Sequence, residues 1–164
     1  MARLSGPSVA IVMGSDSDYE VMKEAALALQ KMDVPYEISI LSAHRTPREM
    51  QQFSEKARQR GFKVIIASAE GAAHLPGMIA AHTELPVIGV PVSIGYLQGQ
   101  DALLSIVQMP KGVPVATVAI GNAWNAGILA AQILGCGDPT LLDRIAEYKG
   151  ELRQLVLEKN LPLS

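Results

Sequence analysis

Residues 8–18, SVAIVMGSDSD, form an apolar run followed at once by a turn of glycine, serine and aspartate. A continuously apolar run that ends in such a turn is typical of a strand buried on both faces. Four further strands are predicted at residues 36–41, 63–68, 86–90 and 115–120. Helices are predicted at residues 17–32, 47–60, 75–83, 100–109, 122–134 and 139–159. This alternation predicts an α/β fold with a five-stranded parallel sheet and right-handed crossovers.

The length and composition favour one well-packed domain. The 164 residues match the usual size of a single domain, expected at residues 1–164, with a core at about 8–135 and a C-terminal helix at about 138–160. Hydrophobic residues make up 49% of the chain and charged residues 18%, which excludes a disordered protein. The net charge of −2 supplies no basic surface, so neither nucleic acid nor an anionic membrane is expected as a partner.

The number of cysteines and the first residues of the sequence indicate the expected cellular compartment. Cys136 is the only cysteine, which excludes an intrachain disulfide and a cysteine-based metal cluster. Residues 1–9 carry no secretory signal, so the cytoplasm is the expected compartment. Residues 112–137 are uncharged and long enough to raise the question of a membrane span, but Pro114 and Asn122 interrupt them. They are predicted to form a strand, a turn and a helix.

The middle of the chain contains few charged residues. Only five of the 30 charged residues lie between residues 62 and 137, and the helix predicted at 122–134 has none. A helix that is apolar nearly all round is usually covered on every side. In a domain of this size the simplest cover is another subunit, so a homo-oligomer is expected.

Two helix starts have the sequence of a reciprocal cap, Ser17 with Glu20 and Thr46 with Glu49. Pro47 at the first helical position supports the second start. Both helices therefore begin directly after the polar turns at residues 14–18 and 42–46. In a parallel sheet these turns lie at the carboxyl ends of strands, where ligands bind.

The first turn offers hydroxyls and backbone N–H groups that suit a monophosphate. Capping alone would also explain Ser17, and Asp16 and Asp18 would repel a bound phosphate. A nucleotide reconciles both, with the serines toward its phosphate and an aspartate accepting from ribose hydroxyls. The turn has neither the dinucleotide Gly-x-Gly-x-x-Gly pattern nor a P-loop, which disfavours a dinucleotide or a triphosphate.

Two further loops carry groups for proton transfer and anion binding. His44 and Arg45 follow the second predicted strand, and they combine a titratable imidazole with a guanidinium that binds phosphate. His74 follows the third strand in a loop of small residues that would let a ligand approach the backbone. A solvated loop and a structural histidine are the simpler alternatives. Two histidines with few acidic neighbours do not favour a zinc site.

Four motifs in the same order resemble the PurE family, 5-(carboxyamino)imidazole ribonucleotide mutase. They are GSDSD at residues 14–18, SAHRTP at 42–47, GAAHLPG at 71–77 and LLSIVQMP at 103–110. The resemblance covers about residues 9–134. It implies a flavodoxin-like three-layer sandwich, a homo-octamer, and a role in de novo purine synthesis with neither cofactor nor metal.

The resemblance also implies roles for single residues. His44 would be the proton carrier for the carboxyl shift, with His74 beside it as the second catalytic residue. The residues that would bind the substrate are Ser15, Ser17 and Arg45 at the phosphate, Asp18 at the ribose, and Ser42, Ser68, Gly71, His74 and Leu75 around the base and CO2.

Three functions stay open at this point. The first is the mutase. The second is direct carboxylation of aminoimidazole ribonucleotide, the sister activity of the family, or carboxylation of another nucleotide. The third is a catalytically silent nucleotide-binding oligomer. Glu70, where the family commonly has glycine, and the altered turn at residues 122–125 would be the signs of lost activity, whereas His44 argues against it.

Overall fold

A parallel sheet of five strands forms the centre of the computed structural model, which describes residues 6–159. The strands lie in the order β2-β1-β3-β4-β5, and every neighbouring pair is parallel. Their bounds are β1 Val9–Met13, β2 Tyr36–Ile40, β3 Val64–Glu70, β4 Val87–Val92 and β5 Ala116–Thr117. The predicted fold class is thereby confirmed. The chain order reverses at β1, so the carboxyl ends of β1, β2 and β3 meet beside this switch point.

Helices cover both faces of the sheet and create two apolar cores. The helices are α1 Tyr19–Lys31, α2 Pro47–Lys56, α3 Leu75–His82, α4 Gln100–Val107, α5 Ala123–Gly135 and α6 Pro139–Leu157. Alternate residues of β1 point to opposite faces, so Ile11 joins the core under α1, α5 and α6, while Val12 joins the core under α2, α3 and α4. β1 and β4 are buried along their whole length, which explains their uninterrupted apolar sequence.

Several element ends differ from the predictions, those of β3, β5 and α2 among them. β5 covers two residues instead of six, because Pro91 on β4 has no N–H to continue the ladder beyond Thr117. β3 continues two residues beyond the predicted end, so Glu70 is the last strand residue and not part of the following loop. α2 ends at Lys56 rather than residue 60, and turns lead from there to Gly61, whose φ of +96° a helix cannot contain.

The two predicted reciprocal caps are wrong. α1 is preceded by a 3-10 turn, Asp16–Asp18, and the Ser15 hydroxyl accepts from the Ser17 N–H at 3.4 Å. The Ser17 side chain is thereby free to bond elsewhere. At α2 the Thr46 hydroxyl bonds to the backbone of Ser42 and closes the preceding turn instead of capping the helix.

The chain itself covers most of the charge-free helix. α5 packs against α1, α6 and the sheet. Gly127 on α5 lies so close to α1 that a Cβ there would be 2.7 Å from the Ala25 carbonyl oxygen and from Cβ of Ala28. The apolar character of this helix therefore needs no second subunit and does not by itself indicate an oligomer.

The C-terminal helix begins as predicted, at Pro139, and ends at Leu157. The Asp138 carboxylate caps it by accepting from the backbone N–H of Thr140 and of Leu141. Residue 160, the predicted end of this region, lies outside the described residues. Within residues 6–159 no helix combines the length and the apolar character needed to cross a bilayer.

Candidate active site

A cavity of about 220 Å³ opens where β1, β2 and β3 end. The turns after these strands supply its walls because the three carboxyl ends meet at one edge of the sheet. The lining residues are Gly14, Ser15, Ser42, Ala43, His44, Arg45, Ala69, Glu70, Ala72, His74 and Leu75. The three polar turns selected from the sequence thus form one site.

The two imidazoles meet across the cavity. Nε2 of His44 lies 2.7 Å from Nδ1 of His74, with the rings edge to face at 88°. At this distance one of the two nitrogens carries the shared proton and the other accepts it. Both side chains are exposed to the cavity and solvent. The pair can therefore pass a proton to a bound molecule or take one from it.

The guanidinium of Arg45 ties two of the turns together. Its Nη2 donates to the Gly14 carbonyl oxygen at 2.9 Å, and its Nε donates to the Ser42 hydroxyl at 3.3 Å. The Ser42 hydroxyl also accepts from the Arg45 backbone N–H at 3.1 Å. These bonds fix a positive charge beside the turn that follows β1, where an anion can meet it.

The carboxylate of Asp18 is buried beneath the turn after β1. Only 1% of the residue is exposed, and its Oδ2 accepts from the Ser68 hydroxyl at 2.7 Å. Its Oδ1 has no hydrogen-bond partner among the residues that the structure describes. Burial raises the pKa of Asp18, and the charge of Glu70 raises it further, against the opposing hydrogen bond from Ser68. An unpaired oxygen on a buried carboxylate is costly, and a ligand hydroxyl would satisfy it.

Glu70 adds an anion to the cavity wall. The residue is half-buried at the end of β3, and its Oε1 accepts from the Ser17 hydroxyl at 3.3 Å. The 3-10 turn places Ser17 next to Asp18, so two carboxylates and one hydroxyl lie together at this end of the cavity. The Ser17 hydroxyl, which the family resemblance places at the phosphate, is bonded to Glu70 in this structure.

Most of the predicted site residues lie on the cavity or against it. His44, His74, Ser15, Ser42, Arg45 and Leu75 line it directly. Ser17 and Asp18 adjoin it through Glu70, and Gly71 follows Glu70 with a φ of +59° that favours glycine. The Ser68 hydroxyl is fully buried and faces Asp18 rather than the cavity.

Four lining residues were given no individual role in the sequence analysis, although three of them lie within the quoted motifs. Gly14, Ala43, Ala69 and Ala72 have no functional side chain, so only their small size at strand ends could have marked them. Within residues 6–159 no three His, Cys, Asp or Glu side chains lie close enough together to hold a metal ion.

Comparisons with known proteins find relatives that are similar over nearly the whole chain. The model of the AIR carboxylase family matches residues 8–154. The N5-carboxyaminoimidazole ribonucleotide mutase of Thermotoga maritima is 60% identical over 153 residues, covering 93% of this chain and 90% of that protein. The phosphoribosylaminoimidazole carboxylase of Schizosaccharomyces pombe is 56% identical over 95% of this chain but only 28% of its own length. The crystal structure of Treponema denticola PurE superposes with a TM-score of 0.84 at 28% identity, covering 93% of this chain and 95% of that one.

Proposed function

Because the chain belongs to the AIR carboxylase family, we propose that it catalyses the carboxyl shift of an N5-carboxyaminoimidazole ribonucleotide mutase. The carboxylate of 5-(carboxyamino)imidazole ribonucleotide moves from the exocyclic nitrogen to ring carbon 4. The observation that carries the proposal is the likeness, over nearly the whole chain, to proteins named for this reaction. The paired imidazoles at the cavity supply the proton chemistry that the reaction needs.

His44 is the proton carrier in this proposal. The bond between the exocyclic nitrogen and the carboxyl carbon breaks, its electron pair stays on the nitrogen, and His44 donates a proton there. Carbon 4 then attacks the released CO2, and His44 removes the proton from carbon 4. The proton lent in the first step returns in the second, so the reaction needs no external acid. Imidazole suits both steps because its ordinary pKa is near neutral.

His74 is the second catalytic residue in this proposal, and it orients His44 before the substrate binds. Its Nδ1 lies 2.7 Å from Nε2 of His44 and so fixes the ring that transfers the proton. A substrate atom that enters between the rings would replace this bond. His74 can then bond the substrate carboxylate or CO2 from the opposite side of the cavity.

The nucleotide binds along the turn after β1. Ser15 and Arg45 bind the phosphate, together with Ser17 once its hydroxyl leaves Glu70, because they place two hydroxyls and a guanidinium near one another. Asp18 accepts from a ribose hydroxyl through Oδ1, which has no partner among the described residues. The base then lies against Ser42, Gly71 and Leu75, below the imidazoles. The small residues of the wall leave room for CO2 and keep it close to carbon 4, which raises its effective concentration.

We also infer that the chain acts as a homo-octamer in the cytoplasm. The support is the family likeness together with an exposed apolar surface along the loop after β4 and helix α4. This surface contains Ile94, Tyr96, Leu97, Leu104 and Val107. Large contiguous apolar surfaces mark protein interfaces. Sedimentation at micromolar concentration tests the assembly, and a monodisperse monomer would contradict it.

Direct carboxylation of aminoimidazole ribonucleotide is the second candidate, favoured by the name of the fission-yeast relative. Purified protein is supplied in parallel with 5-(carboxyamino)imidazole ribonucleotide, or with aminoimidazole ribonucleotide and bicarbonate. Fast formation of 4-carboxy-5-aminoimidazole ribonucleotide from the first substrate supports the mutase. Fast formation only from the second mixture identifies a carboxylase, and no product from either identifies a silent binder.

A further inference from the structure

The acidic end of the cavity contains a group that the carboxyl shift does not use. Glu70 lines the same cavity as the two imidazoles and Arg45, yet the reaction handles an anionic nucleotide and needs no second carboxylate at the wall. Its Oε1 accepts from the Ser17 hydroxyl, one of the groups placed to bind the phosphate. At 3.3 Å this bond is longer than the usual 2.7–2.8 Å between oxygens, so an incoming ligand can replace it.

The surroundings of Glu70 concentrate negative charge. Asp18 lies close enough for the charge of Glu70 to act on its carboxyl group, and Asp16 belongs to the same 3-10 turn. The cationic and titratable groups on the other walls are His44, Arg45 and His74. On the remaining side, Glu70 pairs with Val92 of β4, which is uncharged.

We propose that Glu70 is a specificity-determining residue that competes with the phosphate of the ligand for Ser17 and opposes its charge. This inference rests on the proposed nucleotide site. In the empty site the carboxylate holds the Ser17 hydroxyl. A phosphate binds there only when the Glu70 side chain moves away from the Ser17 hydroxyl. Ligands without a phosphate avoid this cost, so Glu70 acts on the affinity for the phosphate group specifically.

The test removes one charge from the protein, the Glu70 carboxylate, and separately removes the phosphate from the ligand. Glu70→Gln keeps the size of the side chain and an acceptor oxygen, but removes the charge. Calorimetry gives the Kd of 4-carboxy-5-aminoimidazole ribonucleotide and of the corresponding ribonucleoside for each protein at pH 8. We expect the variant to bind the ribonucleotide roughly tenfold more tightly and the ribonucleoside within about twofold of the wild type, as expected of one like charge in a half-exposed cleft.

Glu84→Gln is the matched control, because Glu84 is exposed just before β4, at the opposite end of that strand from the cavity. Thermal melts confirm that each variant folds.

Equal effects of Glu70→Gln on the ribonucleotide and the ribonucleoside, no effect on either, or binding of neither ligand would overturn the proposal. A mutase assay of the wild type keeps this result separate from the proposed function. If the wild type turns over the substrate but Glu70→Gln leaves the ribonucleotide affinity unchanged, the role of Glu70 is rejected and the mutase is retained. If Glu70→Gln binds the ribonucleotide tenfold more tightly but the wild type shows no turnover, the mutase is rejected and the role of Glu70 is retained.

Discussion

At the contact between α1 and α5, Gly127 lies so close to Ala25 that a methyl group has no room, whereas at the cavity the buried carboxylate of Asp18 keeps one oxygen without a partner among the described residues. The first region consists of apolar and small residues packed to van der Waals contact. The second brings together imidazoles, carboxylates and a guanidinium, and it contains one long hydrogen bond, from Ser17 to Glu70, and the unpaired oxygen of Asp18. A ligand hydroxyl would satisfy the unpaired oxygen at the cavity, whereas the described residues of the packed contact have no unsatisfied polar side-chain group for a ligand to meet.

The comparison predicts that a change at the exposed imidazoles affects turnover and not folding. His44→Asn should lower the mutase rate by roughly 10²–10⁴-fold, because it removes the proton carrier and keeps a polar side chain. The melting temperature and the affinity for the product should stay near those of the wild type. His82→Asn is the control, since His82 lies on α3 and faces Glu55 rather than the cavity. A near-normal rate in His44→Asn would make His44 structural and His74 the next candidate.

A smaller effect is expected at the phosphate end of the cavity. Arg45→Ala should weaken product binding by roughly tenfold to a hundredfold while slowing the bound complex less, because a charged hydrogen bond is lost far from the reacting atoms. Calorimetry and saturation kinetics separate the two effects. Arg48→Ala, on the exposed first turn of α2, is the matched control. Unchanged product affinity in Arg45→Ala would exclude the phosphate role.

At the contact between α1 and α5, by contrast, added volume should lower the stability of the fold. Gly127→Ala should destabilise the fold by about 1–3 kcal/mol, because its Cβ would meet a backbone carbonyl of α1. Gly150→Ala in α6 adds the same group where nothing lies within 4 Å, and it should stabilise by about 0.5–1 kcal/mol. Urea unfolding measures both. Equal changes in the free energy of unfolding of the two variants would contradict the tight packing inferred at Gly127.

The smallest effect should appear in the pH dependence of stability. The pKa of Asp18 is raised in the fold, mainly by burial, so folding favours its protonated form. Its stabilising contribution is complete below the unfolded pKa and is lost as the pH rises through the raised folded value. Asp18→Asn should therefore be more stable than the wild type at pH 7, and the difference should shrink toward pH 3. A constant stability difference across this pH range would contradict the assignment to burial.

The sequence identified the sheet and the cavity because both follow from local patterns. Uninterrupted apolar runs determine β1 and β4, and polar turns directly after strands place His44, Arg45 and His74 at one edge. The pairing of side chains was not predictable in this way. The Ser17 sequence fits a helix cap equally well, and only the tertiary position of Glu70 draws its hydroxyl away.

The short β5 and the cover of α5 have the same explanation. Pro91 stops the ladder of a neighbouring strand, which no property of residues 115–120 reveals. The charge-free sequence of α5 indicates burial but not which surface covers it. α1 and α6 of the same chain supply most of that cover. The length of β5 and the cover of α5 therefore depend on contacts between elements distant in sequence, which local patterns do not reveal.

Isotope retention in the carboxyl shift tests the central claim most directly. The protein is given 5-(carboxyamino)imidazole ribonucleotide labelled with ¹³C in the carboxylate, in buffer with excess unlabelled bicarbonate, and the product is analysed by mass spectrometry. If CO2 stays in the cavity between the two steps, 4-carboxy-5-aminoimidazole ribonucleotide should retain the label. Product that carries carbon from bicarbonate instead, or no product above the uncatalysed background, would contradict the account.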